Sequence, residues 1–274
     1  MRIIYWIELA VAYLFYCTGI YWVRRRRLDR EGATVVIVYH RVLDGRRGTG
    51  EMVGEDAFAR QMDYLARRCR PAAWNEIMRP AGPGLRVLVT FDDGYRDNFT
   101  RALPILERHD VPAVFFAVSE FVFNKRRIDG IDEDDAEVIP TAGDLQRAKE
   151  SPVVSFGNHT ATHRLFSQLT LKECDDELAR SQAAFRERLQ VRPAVFAYPR
   201  GRAEDLRDDA ARVFEKHTIE AAFTMVPGLV GPGTDRYAIP RIGMSHVNDG
   251  VLFRVKLTGL LNPMVNLKNR LKIR

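Results

Sequence analysis

Short apolar runs alternate with amphipathic segments along most of the chain. Six runs are dominated by β-branched, aromatic and other apolar residues: 35–39, 87–91, 113–118, 153–156, 194–198 and 221–224. Such runs are typical of buried strands. Two of the intervening amphipathic stretches, 171–190 and 205–217, are long enough for complete helices. Strands that alternate with helices predict a parallel sheet, either open or closed into a barrel, so the fold class is α/β.

The N-terminal segment has a different pattern. Residues 3–23 form an apolar and aromatic run interrupted only by Glu8, and a helix of this length could cross a bilayer. Aromatic rings suited to the lipid–water boundary lie near both ends: Tyr5, Trp6, Tyr21 and Trp22. We therefore predict an N-terminal membrane helix. Two alternatives stay open: a helix lying in the interface, because a carboxylate at membrane depth costs roughly 2.5–3.5 kcal/mol, and a buried core helix.

Charge divides the chain into three parts. Arginines at 24–27 follow the apolar run directly, and because positive residues favour the cytoplasmic side, we expect the main domain to face the cytoplasm. We predict a membrane helix with its basic flank at 1–30, the α/β domain at 31–250 and a basic amphipathic tail at 251–274. The tail could lie on anionic lipid, or it could pack on the domain as a capping helix.

Composition limits the possible partners. A hydrophobic fraction of 46% with 28% charged residues predicts a globular protein and argues against disorder. The net charge of +6 arises from basic residues concentrated at the two ends, which favours an anionic membrane surface. Nucleic acid is not expected, because these residues lack interleaved aromatics and a recognisable binding motif. The 3 cysteines lack metal-type spacing and predict no disulfide framework.

Two adjacent carboxylates follow one of the predicted strands. Asp92 and Asp93 come directly after the apolar run 87–91 and precede Gly94. In parallel α/β proteins, functional side chains lie where strands end. Adjacent carboxylates repel each other when desolvated unless a cation or a proton separates their roles. An ordinary Asp-Asp-Gly turn is the alternative.

Two histidines follow another predicted strand. His159 and His163 come after the run 153–156, and residues four apart can converge on one ion from a helical face or from a compact turn. A carboxylate at one strand end and a histidine pair at another would supply three metal ligands and leave positions open for water and substrate. We therefore predict a divalent metal site.

Three segments together resemble the polysaccharide deacetylases, the NodB-homology group known as carbohydrate esterase family four. They are residues 90–95 (TFDDGY), 159–163 (HTATH) and 196–201 (FAYPRG), and the resemblance covers about residues 35–244. It implies a distorted (β/α) barrel of the NodB type. It further implies that Asp92 is the catalytic base and that the metal ligands are Asp93, His159 and His163. Zinc is the metal expected from this resemblance, with cobalt and manganese as alternatives.

The remaining catalytic roles follow from the chemistry of amide hydrolysis. Asp92 would take a proton from water activated by the metal, and the backbone N–H of Tyr95 would help to stabilise the oxyanion. The leaving amine needs an acid, and His40 follows the first strand. An early histidine in this role resembles the circularly permuted bacterial poly-N-acetylglucosamine deacetylases. His246 is the second candidate for the acid, and a hydrogen-bonded core histidine is the alternative for His40.

One position departs from the family pattern. Many relatives have an arginine in the third motif that holds the catalytic base, and here that position is Ala197. Arg241 follows a late strand and could form a bidentate pair with Asp92 that lowers its pKa. Tyr198 and Pro199 are predicted to shape the sugar groove, although an aromatic beside proline is often a packing feature.

These expectations combine into a functional hypothesis. The chain is predicted to be a hydrolase that removes an acetyl or other acyl group from the nitrogen of an N-acetylated sugar. The substrate would be a polysaccharide or a lipid-linked sugar held at the membrane. A carbohydrate O-acetyl esterase would use nearly the same residues, and an inert glycan-binding protein on this fold stays open because of Ala197.

Overall fold

The structure is a computed structural model that describes residues 2–44, 52–80, 82–126, 138–244 and 249–270. The acidic segment that interrupts the strand and helix pattern at 129–137 lies outside the described residues, and so does His246.

The described residues form ten strands and ten α-helices. The strands are β1 (Thr34–Tyr39), β2 (Arg41–Leu43), β3 (Met52–Gly54), β4 (Arg70–Pro71), β5 (Arg86–Phe91), β6 (Ala113–Ala117), β7 (Val154–Asn158), β8 (Val195–Ala197), β9 (Ala221–Phe223) and β10 (Ile242–Gly243). The helices are α1 (Arg2–Cys17), α2 (Ile20–Glu31), α3 (Glu55–Arg68), α4 (Leu103–His109), α5 (Ser119–Asn124), α6 (Ala142–Glu150), α7 (Leu171–Leu189), α8 (Ala210–Lys216), α9 (Gly250–Leu257) and α10 (Asn262–Arg270).

The core is a parallel sheet with the strand order β10-β1-β5-β6-β7-β8-β9, and β4 also pairs with β5. β1 and β5 are buried along their whole length, which explains why both appear in the sequence as continuous apolar runs. Helices cover the sheet, so the predicted α/β class with a parallel sheet is confirmed.

The sheet is curled. Ile239 forms a parallel bridge with Phe223 in β9, and Ile242 pairs with Ile37 in β1. The segment 239–243 therefore contacts both ends of the strand order, which is consistent with a distorted barrel. The first strand of the chain lies between the last strand and β5, as expected for a permuted arrangement.

The predicted N-terminal helix at 3–23 is interrupted. α1 ends at Cys17 and α2 begins at Ile20, and the two helices meet at an angle of 77°. The break lies at Gly19, whose φ of 84° is in the left-handed region that favours glycine. Within the described residues, no individual helix is long and apolar enough to cross a bilayer, whereas the bent pair meets the criteria of length and composition only.

Both terminal segments pack on the domain. Ala12 of α1 and Leu28 of α2 are buried in the main hydrophobic core. α9 adds Leu252 and Phe253 to the same core. This part of the predicted C-terminal tail therefore adopts the capping arrangement, which was the alternative to a segment lying on lipid.

Candidate active site

A tight turn at the carboxyl end of β5 carries both carboxylates. Asp93 and Gly94 have φ angles of 71° and 85°, in the left-handed region. A Cβ atom on Gly94 would lie 2.7 Å from Cγ1 of Val122 and 2.9 Å from Cβ of Ala117. Glycine is therefore required next to the aspartates by conformation and by space. Asp92 and Asp93 are both buried.

The histidine pair lies in a compact turn after β7. Thr160 and His163 have φ angles of 69° and 64°, which excludes a continuous helix through these residues. The backbone N–H of His163 donates to Oγ1 of Thr160 at 2.8 Å, and the N–H of Thr160 donates to Oδ1 of Asn158 at 2.9 Å. These side-chain bonds stabilise the turn and bring the two imidazoles onto one side of it.

Glu177 of α7 stabilises the same turn through hydrogen bonds. Its carboxylate accepts hydrogen bonds from the backbone N–H of Ala161 at 3.0 Å and from the N–H of Thr162 at 2.9 Å. The hydroxyl of Thr162 also donates to it, at 2.9 Å. Sequence reasoning missed this residue. A signal was present, because Glu177 interrupts the buried stripe of α7 next to Cys174 and Leu178.

The three predicted metal ligands converge in space. Oδ1 of Asp93 lies 3.5 Å from Nε2 of His159 and 3.5 Å from Nε2 of His163. One potential ligand atom from each side chain lies within 4.8 Å of the other two. Nδ1 of His159 is 2.8 Å from the carbonyl oxygen of Ala197. Because a carbonyl only accepts, Nδ1 carries a proton and Nε2 is the nitrogen available to a cation.

The protonation states suit a metal centre. Burial by itself would raise the pKa of Asp93, but the hydrogen bond with His159 and the charge of His163 lower it far below its ordinary value. Burial lowers the pKa of His163 to about 4, more than the nearby Asp93 carboxylate offsets. Burial opposes charge on His159 too, yet Asp93 and Asp92 raise its pKa. A cation can replace the proton that these carboxylates attract.

This donor set fits a divalent metal. One carboxylate and two imidazoles are the ligand types that zinc and its neighbours in the first transition row accept. The His163 side chain is 20% exposed, so the cluster can be reached from solvent. The predicted Asp-His-His cluster is present, and it is consistent with a divalent metal site.

Asp92, the neighbour of Asp93 in the turn, pairs with a buried arginine. Nη1 and Nη2 of Arg241 donate to Oδ1 and Oδ2 of Asp92, each at 2.7 Å. Nε of Arg241 donates to the carbonyl of Thr224 at 2.8 Å, and its guanidinium carbon lies 5.5 Å from the ring centre of Phe116. The side chain of Arg241 is completely buried. Such a pair fixes the carboxylate in one orientation.

The charge of Arg241 decides the protonation of Asp92. Burial by itself would raise the pKa of this carboxyl group, but the guanidinium, with smaller contributions from His159 and His40, lowers it below its ordinary value. Asp92 is therefore ionised at neutral pH and able to accept a proton.

His40 lies at the carboxyl end of β1, the strand next to β5, and is half-buried. Its charge contributes to the lowered pKa of Asp92 and of Asp93, so it lies within electrostatic range of both. Nδ2 of Asn98 donates to the His40 carbonyl at 2.8 Å. Asp97 accepts from Nε of Arg41 at 2.8 Å, and these contacts hold the segment after β1.

The other predicted site residues lie around this centre. Tyr95 directly follows the Gly94 turn, and the guanidinium of Arg41 lies 4.8 Å from the centre of its ring. Tyr198 and Pro199 are buried, and the Tyr198 hydroxyl donates to the carbonyl of Tyr237 at 3.2 Å. Tyr198 packs in a hydrophobic cluster with Phe196 and Phe214, so contact of these two residues with a sugar stays a prediction.

An Asp-His-His cluster beside an ionised carboxylate, at the carboxyl edge of a curled parallel sheet, is consistent with the class of metal-dependent hydrolases. Comparison with known families gives the narrower assignment. The profile described as "Polysaccharide deacetylase" matches residues 80–230, more than half of the chain. The chain belongs to the polysaccharide deacetylase family, as the sequence motifs indicated.

Individual relatives agree with this assignment. YxkH of Bacillus subtilis, provisionally named a polysaccharide deacetylase, is 26% identical over 167 residues, which are 61% of this chain and 54% of that protein. The poly-beta-1,6-N-acetyl-D-glucosamine N-deacetylase of Escherichia coli K12 is 27% identical over 190 residues, covering 58% of this chain and 28% of that protein. The chain thus spans about half or less of these relatives.

Solved structures show the same fold. IcaB from Ammonifex degensii superimposes with a TM-score of 0.68 at 24% identity, over 83% of this chain and 97% of IcaB. The deacetylase PplD of Streptococcus pyogenes, solved in complex with acetate, gives a TM-score of 0.65 at 19% identity, over 79% of this chain and 96% of PplD. At these identities the likeness concerns the fold alone.

Proposed function

We propose that this protein is a metal-dependent N-deacetylase that releases acetate from an N-acetylated sugar. The observation that carries the proposal is that two adjacent carboxylates have different partners. Asp93 points to two imidazoles, whereas Asp92 is fixed by Arg241 at two distances of 2.7 Å. A turn with a purely structural role has no need to separate the two carboxylates in this way.

This arrangement assigns each residue of the site a role in amide hydrolysis. Asp93, His159 and His163 would hold a divalent cation, most simply zinc, which would supply polarisation of the scissile carbonyl and a more acidic water molecule. Asp92 accepts the proton of the attacking water, because Arg241 keeps its carboxylate ionised. The backbone N–H of Tyr95, directly after the turn, is assigned to the oxyanion.

The leaving amine requires a proton donor, and we assign this role to His40. Its position at the end of the strand adjacent to β5 supports the assignment, and so does its electrostatic effect on both aspartates. His40 would protonate the amide nitrogen as the carbon–nitrogen bond breaks, so that acetate and a free amine are formed.

The substrate class is inferred from the relatives. One of them is named for its action on poly-beta-1,6-N-acetyl-D-glucosamine, which supports an N-acetylhexosamine unit here. We extend this to a glycan or a lipid-linked sugar precursor. The inert alternative is disfavoured because the residue assigned as base, the three potential ligands and an arginine paired with the base are all present, although position 197 in the third motif is alanine.

Acetate release tests the proposal. The metal-free protein is incubated with zinc and a panel of N-acetylated oligosaccharides and lipid-linked N-acetyl sugars, and acetate and free amine are measured. Zinc-dependent release of both, abolished in Asp92→Asn, is expected. Release of acetate with a new hydroxyl and no amine would identify an O-acetyl esterase, and no release from any substrate would support a binding protein.

A further inference from the structure

The first helix has an unusual distribution of polarity. Its only acidic side chain, Glu8, is buried and lies 3.4 Å from Nζ of Lys256 in α9. Its outward face is apolar, with Trp6 at 62% and Leu14 at 57% exposure. A helix docked on a water-soluble domain normally presents polar residues to solvent. In α1 the charged group faces the protein and large apolar groups face outward.

The apolar face continues onto α2. We define the interface face as the exposed apolar residues Trp6, Ile7, Leu14, Ile20, Trp22 and Val23. Beyond Val23 the exposed residues change to arginines, among them Arg26 and Arg27. Trp at the edge of an apolar face, followed by arginines, is the composition of helices that lie in the plane of a membrane surface.

The contacts of α1 keep it on the domain. In addition to the Glu8 and Lys256 pair, the Tyr13 hydroxyl donates to Asp249 at 3.2 Å. Nη1 of Arg254 donates to the hydroxyl of Tyr16 at 3.3 Å. α1 has 16 residues and measures about 24 Å at 1.5 Å per residue, shorter than a hydrocarbon core of about 30 Å. Crossing the bilayer would require these polar contacts to break.

We propose that the interface face binds the surface of an anionic phospholipid bilayer, with α1 and α2 lying in the headgroup region and not crossing the membrane. The charge pattern favours anionic lipid over a second copy of the chain. In a dimer through this face both copies carry the same positive charge, so the arginines add repulsion and not attraction. On an anionic surface the same arginines add to the attraction.

α1 is also connected to the central sheet. Lys256 also donates from Nζ to the carbonyl oxygen of Gly243 at 3.3 Å, and Gly243 ends β10, two residues after Arg241. The inward side of α1 is thus connected through Glu8 and Lys256 to the carboxyl end of β10. A membrane bound to the outward side of α1 would therefore contact an element that packs directly on the domain.

Vesicle flotation of the full-length protein tests the proposal. We expect the wild type to float with vesicles of phosphatidylcholine containing phosphatidylglycerol and to bind pure phosphatidylcholine much more weakly. The double variant Trp6→Ser, Leu14→Ser should bind at least about tenfold more weakly, because it removes exposed apolar surface. The control Met78→Ser, an exposed apolar residue elsewhere, should bind like the wild type. Equal loss in control and test variant would overturn the proposal.

A second test variant and its control measure how much the arginines contribute to vesicle binding. Arg26→Gln with Arg27→Gln should weaken binding to the anionic vesicles by about 30-fold, from about 1 kcal/mol per arginine. The control Arg202→Gln with Arg212→Gln makes the same change in net charge on other exposed arginines and should have little effect. If both pairs weaken binding equally, only net charge matters and the assigned face is wrong.

Depth measurement separates a surface helix from a spanning helix. Leu14→Trp in a Trp6→Phe, Trp22→Phe, Trp74→Phe background leaves one tryptophan, and its fluorescence is quenched by lipids brominated at different depths. Strongest quenching near the headgroups is expected, whereas strongest quenching at the bilayer centre would show a spanning segment. Self-association in sedimentation without vesicle binding would identify a second copy as the partner. These measurements do not depend on catalysis, so they stand apart from the proposed function.

Discussion

Arg241 and Asp92 form two hydrogen bonds of 2.7 Å although 149 positions separate them in the chain. The pair joins the residue before β10 to the residue after β5, and β1 lies between these two strands. It thereby links the carboxylate that we propose as the base to the C-terminal part of the domain.

Replacing Arg241 should shift the pH dependence of catalysis. Arg241 lowers the pKa of Asp92, so the active carboxylate persists as pH falls until that lowered pKa is reached. In Arg241→Ala the pKa rises, and the acidic limb of the kcat/KM profile should move to higher pH. Arg241→Lys keeps the positive charge but cannot donate two parallel hydrogen bonds to the carboxylate, so its acidic limb should lie between those of the wild type and Arg241→Ala.

Stability should fall as well, because Arg241→Ala leaves a buried carboxylate without its partner, at a cost of about 3–5 kcal/mol. Urea denaturation measures this change. Arg202→Ala removes a half-exposed arginine and serves as control. An unchanged acidic limb in folded Arg241→Ala would contradict the positioning role.

Metal binding should depend on each member of the cluster. Wild-type protein is expected to bind one zinc ion per chain, measured by equilibrium dialysis and elemental analysis. His163→Ala and Asp93→Asn should each lose roughly 100-fold or more in affinity, because removing a ligand itself costs more than the roughly 10–100-fold that loss of a residue supporting a ligand costs. His109→Ala, at the end of α4, should bind zinc normally. Retention of full affinity in both ligand variants would refute the assigned site.

The role of His40 is separable from that of the metal cluster. Its loss should slow cleavage of an N-acetyl amide by roughly 10²–10⁴-fold, the usual contribution of a general acid. An aryl acetate whose leaving group needs no proton should be hydrolysed by His40→Ala at close to the wild-type rate. Equal loss on both substrates would indicate a structural role.

Glu177 should control the shape of the histidine turn. Glu177→Gln retains the size of the side chain but replaces one accepting oxygen with a donor that faces backbone N–H groups. We expect about 1–3 kcal/mol lower stability and roughly 10–100-fold weaker zinc binding. Glu187→Gln, exposed on the same helix, is the matched control. Wild-type zinc affinity in Glu177→Gln would exclude the supporting role.

Gly157 should be required by the ring of Phe116. A Cβ atom at this position would lie 2.2 Å from Cδ1 of that ring, and the same ring lies against the Arg241 guanidinium. Gly157→Ala should therefore cost about 1–3 kcal/mol by overpacking and reduce activity. Adding Phe116→Leu should restore part of the stability in a double-mutant cycle. Strictly additive effects would show that the two positions are not coupled.

Much of the site could be predicted from the sequence because its residues directly follow strands. The carboxyl ends of parallel strands meet at one edge, so Asp92, Asp93 and the two histidines were expected to lie together. Their separate orientations could not be predicted, since they depend on left-handed turns at Asp93 and His163. Glu177 was missed because a polar residue on a helix gives little indication of the backbone groups it will meet.

The N-terminal segment shows more clearly what could not be predicted from the sequence. Its apolar run predicted one membrane helix, because hydropathy counts residues without regard to neighbours. The structure divides the run at Gly19 and pairs Glu8 with Lys256, a residue almost 250 positions away. The sequence by itself determined the α/β class, the parallel sheet and the chemical identity of the site, since these depend on local periodicity and on residues next to strand ends. The sequence suggested Arg241 as the partner of Asp92, but only the tertiary structure decided that the two side chains meet and which face of the first helix is exposed, because both depend on contacts between distant parts of the chain.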